Sequence, residues 1–563
     1  MLLLTGCDSA EQQNQSGSTA MNGYAGTRTC AECHEAETLS WQSSHHDLAM
    51  QEANQATALG DFNDSRFDFN GISSRFFTEN NELYVETDGP DGALSVFPVR
   101  YTFGVYPLQQ YLLELDNGKI QALSIAWDTR TNDNGGQRWF HIYDDLSIDH
   151  TDVLHWTQPS QNCETMCADC HSTNLISRYS VEEDRFDTTW EELNVGCEAC
   201  HGPGAKHVEW AENPDPEKID NGLELRFDES AGVNWLLNTQ TGNSTRSIER
   251  TTNKELNACA GCHSRRSRIA EGNHPATPFL DNYRPATIDP PLYHPDGQIL
   301  DEVYVYGSFL QSKMHTSGVT CSDCHDPHSL QLKAPAEQVC LQCHNSETFA
   351  TTQHQLHEPG IANCIDCHMP ATNYMQIDAR NDHSFRIPRP DLSLASASPN
   401  ACNQCHQDKD ASWAAKVIEQ AGQNDKQTAD NWSAQLATAN AFNNNFLKLA
   451  TDRSTPEIIR ASAIARLELS GQPDTLSALA NDPEPLVRWG ASMALGNSPP
   501  DRVIDQILNL AQSDPRAVRI AATYSLMQLP PEYLPAGSRA VIEEAYEEYK
   551  AAQLVNNERP ESH

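Results

Sequence analysis

Three patterns of hydrophobic and polar positions divide the chain. Across residues 61–150 the apolar positions are aromatic or β-branched, as in Arg75-Phe76-Phe77, Leu83-Tyr84-Val85-Glu86-Thr87 and Tyr111-Leu112-Leu113-Glu114-Leu115. Such segments predict strands, and Asp116-Asn117-Gly118 predicts a hairpin turn into Lys119–Trp127. We read this region as an antiparallel β insertion. From about residue 412 the pattern changes to Ala, Leu and Ile at helical spacing. Three segments there look alike: Thr455-Pro456-Glu457-Ile458-Ile459-Arg460-Ala461, Asp482-Pro483-Glu484-Pro485-Leu486-Val487-Arg488 and Asp514-Pro515-Arg516-Ala517-Val518-Arg519. The last two start 32 residues apart, and each precedes an Ala-rich helix. This is the pattern of HEAT-like helical repeats, with a plain helical bundle as the alternative. Residues 151–411 show little periodicity, which predicts short helices in irregular chain.

Cysteine explains that irregular region. Of 563 residues 18 are Cys and 22 are His, and eight copies of Cys-x-x-Cys-His occur, where random placement gives about 0.02. Two thiols three residues apart can bond the two vinyl groups of one porphyrin, and the adjacent histidine then lies beneath the iron. The covalent positions are Cys30, Cys33, Cys167, Cys170, Cys197, Cys200, Cys259, Cys262, Cys321, Cys324, Cys340, Cys343, Cys364, Cys367, Cys402 and Cys405. The proximal iron ligands are His34, His171, His201, His263, His325, His344, His368 and His406. Structural zinc and a disulfide framework both leave the trailing histidines unexplained. The chain therefore predicts eight haem c groups, an iron cofactor.

The fold class that follows is mixed, mostly α and irregular. A multihaem cytochrome c domain carries the antiparallel β insertion, and a C-terminal α-helical HEAT-like repeat domain follows. The expected divisions are 1–27, a lipobox remnant and polar tether; 28–60, the first haem segment; 61–150, the β insertion; 151–411, the seven-haem domain; 412–550, the repeats; and 551–563, a tail.

Two cysteines fall outside the motifs. Cys7, in Leu4-Thr5-Gly6-Cys7, matches a bacterial lipobox and predicts lipidation, with Asp8 hinting at inner-membrane retention. Cys163, four residues before Cys167, reads as a spare buried thiol, with alternative haem attachment or redox chemistry as the other readings. No stretch approaches the roughly 18 apolar residues of a membrane helix. An exported protein in the periplasm or on the outer surface, held to a bacterial membrane only by lipid, is the expected location.

Each low-spin haem needs a sixth ligand. Fourteen histidines lie outside the motifs, only nine Met are present, and no motif has Lys for His. Mostly bis-His ligation, which lowers reduction potentials, is the simplest assignment. The distal candidates are His46 (with His45 beside it), His207, His328 and His383. His357 competes with His354 before Cys364, and His155 with His141 before Cys167; His315 joins them, alongside His150, His274 and His294. The Cys259 motif has no evident distal histidine nearby and is followed by Arg265-Arg266-Ser267-Arg268, which reads as propionate pairing or an anion-binding cluster.

The net charge is −40, from 78 Asp+Glu against 38 Lys+Arg. That excludes nucleic-acid binding through basic patches and suits docking to basic faces of a redox donor and acceptor, with solubility as the plain alternative.

The runs MCADCHSTNL (166–175), CEACHGPG (197–204), EVYVYGSFLQSKMHTSGVTCSDCHDPHSL (302–330) and DHSFRIPRPDL (382–392) resemble one bacterial family. Its members are multihaem cytochromes c with a cytochrome c-552/c-554-type part, a doubled CxxCH segment and C-terminal HEAT, often tetratricopeptide, repeats. The resemblance implies periplasmic or surface electron transfer and favours His46, His207, His328 and His383 as distal ligands. Electron transfer through the haems is the leading functional expectation, with no catalytic residues assigned. A multihaem reductase of a small nitrogen or sulfur oxyanion, an oxidoreductase, is the second. A filament-forming cytochrome that self-associates through the repeats or the haem domain is the third. The repeats are expected to dock a partner or a second copy.

Overall fold

The computed structural model describes residues 23–557 apart from 116, 215–219, 273, 423–430, 440–443 and 468–472. Cys7 and His563 lie outside the described residues.

The β pattern becomes one antiparallel sheet. Its strands are β1 (Met50–Glu52), β2 (Asn63–Phe69), β3 (Ile72–Glu79), β4 (Glu82–Asp88), β5 (Leu94–Phe103), β6 (Leu108–Glu114), β7 (Ile120–Ala122), β8 (Ile125–Asp128) and β9 (Arg138–His141). The order is β2-β3-β4-β5-β6-β8-β9, with β1 added to β5 and β7 to β6. The stretch predicted as one strand after Gly118 is two, because the chain leaves β6 at Leu123 and Ser124 and pairs with it again at Trp127. Alternation places Phe76, Leu83, Val85, Tyr111, Trp127 and Trp139 in one core, with Phe76 stacked on Trp139 at 3.7 Å. The sheet is fastened to the haem-binding chain. β1 continues directly from His45 and His46, and the Ile120 amide donates to Glu164 just before the Cys167 motif.

Between the sheet and the repeats the chain forms helices of four to eight residues and two-stranded ribbons. Each motif coils as about one helical turn. The amides of His34, His263, His325, His344 and His406 donate to the carbonyl of the first cysteine of their motifs at 2.9–3.0 Å. One turn brings the first thiol and the histidine toward the same side, as one planar cofactor requires.

The C-terminal helices include Asn445–Thr451, Glu457–Ala465, Pro473–Leu479, Pro485–Leu495, Pro500–Leu510, Arg516–Met527 and Arg539–Leu554. The recurring Asp and Arg of the repeat pattern link neighbours. Arg460 donates to Asp482 of the next unit at 2.5 Å, and Arg488 donates to the Asp514 carbonyl of the one after at 2.8 Å. That ladder is repeat stacking, which a plain bundle does not produce.

The repeats do not stand apart. One buried core runs from Leu256, Phe279, Tyr293 and Phe309 of the haem-binding chain into Ile458, Val487, Val503 and Leu526. Polar contacts reinforce it: the Ile288 amide donates to Ser462 at 2.8 Å, the Arg516 amide to Asp281 at 2.7 Å, and Asn556 to the Arg268 carbonyl at 2.8 Å. Much of the repeat surface expected to meet a partner is already covered from within.

Candidate functional site

Several motif cysteines meet across motifs. Thiols lie beside one another at Cys30 and Cys197, Cys259 and Cys321, and Cys340 and Cys364. Cys170 meets Cys262, whose carbonyl lies 3.7 Å from the Cys170 Sγ. Motifs far apart in sequence are thus neighbours in space.

The histidines pair in the same crosswise way. Facing ring centres are separated by 6.2 Å at His34 and His207, 6.3 Å at His263 and His46, and 6.4 Å at His201 and His328. They are 6.5 Å apart at His325 and His383, 5.9 Å at His368 and His354, and 6.0 Å at His406 and His357. Two imidazoles on opposite faces of one iron, with bonds of about 2.0 Å and ring centres about 1.1 Å further out, sit about 6.2 Å apart. Rotation about that axis leaves the angle between the rings free, so the 58° tilt at His46 and His263 is compatible with it.

Hydrogen bonds fix which nitrogen is offered. Nδ1–H donates to a backbone carbonyl in His171 (Ala49, 2.9 Å), His207 (Asn221, 2.8 Å), His357 (Gln355, 2.8 Å), His368 (Arg386, 2.7 Å) and His383 (Asn381, 2.9 Å). A carbonyl only accepts, so Nδ1 holds the proton and Nε2 is left as a lone-pair donor. Burial also holds several rings neutral. It lowers His46, helped by His263, to about 4, and lowers His263 itself to about 4. His201, His325, His344, His368 and His383 are likewise pushed below the ordinary histidine value by burial. Neutral imidazole is the metal-binding form. Paired thiols, paired rings and bare Nε2 atoms fit haem c.

His354 and His357, expected to compete for one position, both face motif histidines, His368 and His406, because the left-handed turn at Leu356 sends the second ring in a different direction from the first. His263, without an evident partner nearby in sequence, faces His46 instead.

Two motif histidines face no other histidine among the described residues. His171 meets the edge of Phe103 at 5.3 Å. His344 meets Phe349 at 5.5 Å, and its Nδ1 bonds Asn243 at 2.7 Å.

Two expected distal positions are engaged elsewhere. His141 stacks on Phe69 at 4.1 Å, and its Nδ1 accepts from the Tyr143 amide. His155 uses both nitrogens, on Thr157 at 2.8 Å and Asp88 at 3.1 Å. Both belong to the sheet and its flank, and neither faces a motif. His45 is exposed near Tyr106. His315 is buried, with neither ring nitrogen hydrogen bonded.

The arginines after the Cys259 motif are consumed internally. Arg266 pairs with Asp169, donates to the Gly261 carbonyl and covers the Tyr283 ring at 4.1 Å. Arg268 pairs with Glu271 at 2.8 Å. Near the Cys167–His171 motif lies a different cation, Arg380, with Tyr304 and Tyr143. Arg380 pairs with Glu302 at 2.8 Å and Asp378 at 2.7 Å, and its guanidinium lies 5.4 Å from the ring centres of both Tyr304 and Tyr374. Tyr304 has a left-handed backbone (φ 60°), unusual for a bulky residue. Nothing in the sequence singled out these groups. Cys163 is buried beside Met50 and Leu112, and its carbonyl accepts from the Cys167 amide at 3.0 Å.

Family comparisons agree with this layout. The chain matches the family models for cytochrome c554 and c-prime (residues 29–66 and 143–202), the doubled CXXCH motif (315–349), cytochrome c552 (336–461) and HEAT repeats (443–535). No curated protein matches it. Among solved structures, the outer cell wall cytochrome OcwA is similar at 15% identity and a TM-score of 0.45, over 95% of this chain and 100% of that one.

Proposed function

Taking the chain as a multihaem cytochrome c, we propose that it holds eight haem c groups and passes electrons among them. The observation that carries this reading is the set of six motif histidines facing a second histidine at an iron-spanning distance. In this assignment the sixteen motif cysteines form the thioethers and the motif histidines are proximal ligands. His46, His207, His328, His354, His357 and His383 are distal ligands. The haems supply the one-electron couple, and the protein supplies spacing, ligand choice and burial. Thiol contacts between motifs support short steps between neighbouring haems.

The acidic surface suits basic redox proteins as donor and acceptor, with salt-sensitive association. Haem attachment of this kind accompanies export, and Cys7 is the proposed lipid anchor. Mass spectrometry of the mature protein tests the central claim: eight added haems are expected, and seven or fewer would break it. A redox titration should then show most haems low-spin and at low potential.

A second reading is favoured by His171, which faces no histidine among the described residues, while Tyr304 and Tyr143 lie near that motif as groups able to supply protons; Arg380 beside them is already paired with Glu302 and Asp378. In this reading the reductase alternative belongs to the Cys167 haem rather than to the Cys259 haem with its arginines. A ferric high-spin signal that changes when nitrite or cyanide is added would support it. Its complete absence would sink it.

A further inference from the structure

The motifs are not joined to one another alike. Cys30 lies beside Cys197, Cys259 beside Cys321 and Cys340 beside Cys364. A hydrogen bond accompanies each of these contacts and ties the same two segments. The Cys197 amide donates to the Thr27 hydroxyl at 3.0 Å, the Ser322 hydroxyl to Glu255 at 2.8 Å, and the Cys364 amide to Glu337 at 2.8 Å. Thr27, Glu255 and Glu337 each stand three or four residues before the first cysteine of the partner motif.

The Cys259 motif meets other motifs through both of its cysteines. Cys259 lies beside Cys321, with Cys200 of the Cys197 motif also near it. On the other side, Cys262 lies beside Cys170, and its carbonyl is 3.7 Å from the Cys170 Sγ. Arg266 fastens that contact by pairing with Asp169 and donating to the Cys170 Sγ at 3.3 Å and to the Gly261 carbonyl at 2.9 Å. The Cys167 motif is placed differently. Its second cysteine meets Cys262, whereas Cys167 packs with Met50, Leu112 and Cys163 at the sheet, and His171 meets the edge of Phe103 on β5. Beyond Cys321 the motifs follow one another in chain order. Cys324 is near Cys340 and Cys343, and Cys367 is near Cys402 and Cys405. The two exposed motif cysteines, Cys33 and Cys405, fall in the first and last motifs.

A thioether sulfur sits on the porphyrin rim, so neighbouring sulfurs bring two porphyrin edges together. Electron tunnelling falls off exponentially with the gap between edges, so these contacts set the route. We infer that the Cys259 haem is a junction: the through route passes along the Cys197, Cys259 and Cys321 haems, and the Cys167 haem is a side branch reached through Cys170 and Cys262. Electrons crossing the protein bypass the branch, and any reaction at its iron draws them through the junction. The inference rests on the eight-haem reading and fails separately from it, because mass counts the haems whatever their order.

The junction haem carries its own label. His46 and His263 are twisted by 58°, against 14–30° in the five other facing pairs. A wide twist between axial imidazoles raises the largest g value of a low-spin ferric haem, so the lowest-field low-spin signal in electron paramagnetic resonance belongs to the Cys259 haem. The test titrates that signal against potential in the full mature chain. Cys167→Ser with Cys170→Ser should leave seven haems by mass and shift the midpoint of the signal, since an adjacent charge centre is lost. Cys321→Ser with Cys324→Ser should shift it as well. Cys402→Ser with Cys405→Ser, which removes a haem remote from the junction, should leave it in place. A midpoint unmoved by loss of the Cys167 haem, or moved as much by loss of the Cys402 haem, would overturn the junction. Should a deleted chain not fold, iron positions from anomalous diffraction of the intact protein decide the matter. The iron of the Cys167 motif should have that of the Cys259 motif as its nearest neighbour, and any other nearest iron would overturn the branch.

Discussion

His201 and His328 face one another at 6.4 Å with their ring planes 14° apart, although they belong to motifs on either side of the Cys259 motif. His328 follows the motif at Cys321, yet its ring faces the histidine of the Cys197 motif, and in the proposed assignment it is the distal ligand there. Replacing it isolates that relationship. His328→Ala should retain eight haems by mass while converting one haem from low-spin to high-spin. The paramagnetic resonance spectrum of the oxidised protein reads this directly, and an unaltered spectrum would disprove the pairing.

His155 makes the opposite case. Both its nitrogens are engaged within the sheet, so His155→Gln should leave the haem spectrum as it is. The cost should appear as lost stability, about 1–3 kcal/mol for a buried hydrogen-bonded group, measured by thermal unfolding.

The buried pair of Arg460 and Asp482 ties two repeats, with each side chain 4% exposed. Burial raises the Asp482 carboxyl, but the Arg460 hydrogen bond, the Glu484 amide and the charges of Arg460 and Arg453 together outweigh it and leave the group below its ordinary value. A lowered folded value means the stabilisation is complete above the ordinary carboxylate range and drains away as pH falls through and below it. Arg460→Met, which leaves the carboxylate alone in the interior, should destabilise the repeats by about 3–5 kcal/mol at neutral pH. Its stability should also fall less steeply in acid. Chemical denaturation at pH 7 and pH 3.5 compares the two.

Truncation before residue 412 should damage the haem-binding chain, because the core is shared across that boundary. The expected result is a lower haem-to-protein ratio and a lower melting temperature. A truncated protein with full haem content and unchanged stability would show that the contacts at Ile288, Asp281 and Arg268 are dispensable.

Cys163 should be silent. Its thiol is buried among apolar side chains, so Cys163→Ala should keep eight haems and cost only a small cavity. Loss of one haem would reveal an attachment role.

Much of this molecule was legible from spacing alone. The motifs needed only composition arithmetic, the sheet followed from aromatic alternation, and the Asp-Pro and Val-Arg pattern foreshadowed the ladder from Arg460 to Asp482. Pairing was illegible for a physical reason. A distal histidine is chosen by proximity to an iron, and the cofactor brings together segments that share no periodicity. Proximity in sequence therefore pointed to His141 and His155 near Cys167, whose rings are engaged in the sheet, and was silent on the facing of His46 and His263.

The crosswise histidine pairs have a consequence for how the chain acquires its shape. In the proposed assignment several irons fasten distant stretches, as at His34 with His207 or His46 with His263, and so close long loops. Closing such loops early removes much of the conformational freedom that folding must otherwise suppress. The cofactors are then cross-links as well as carriers, and the order in which they are installed sets the order in which the protein can be assembled.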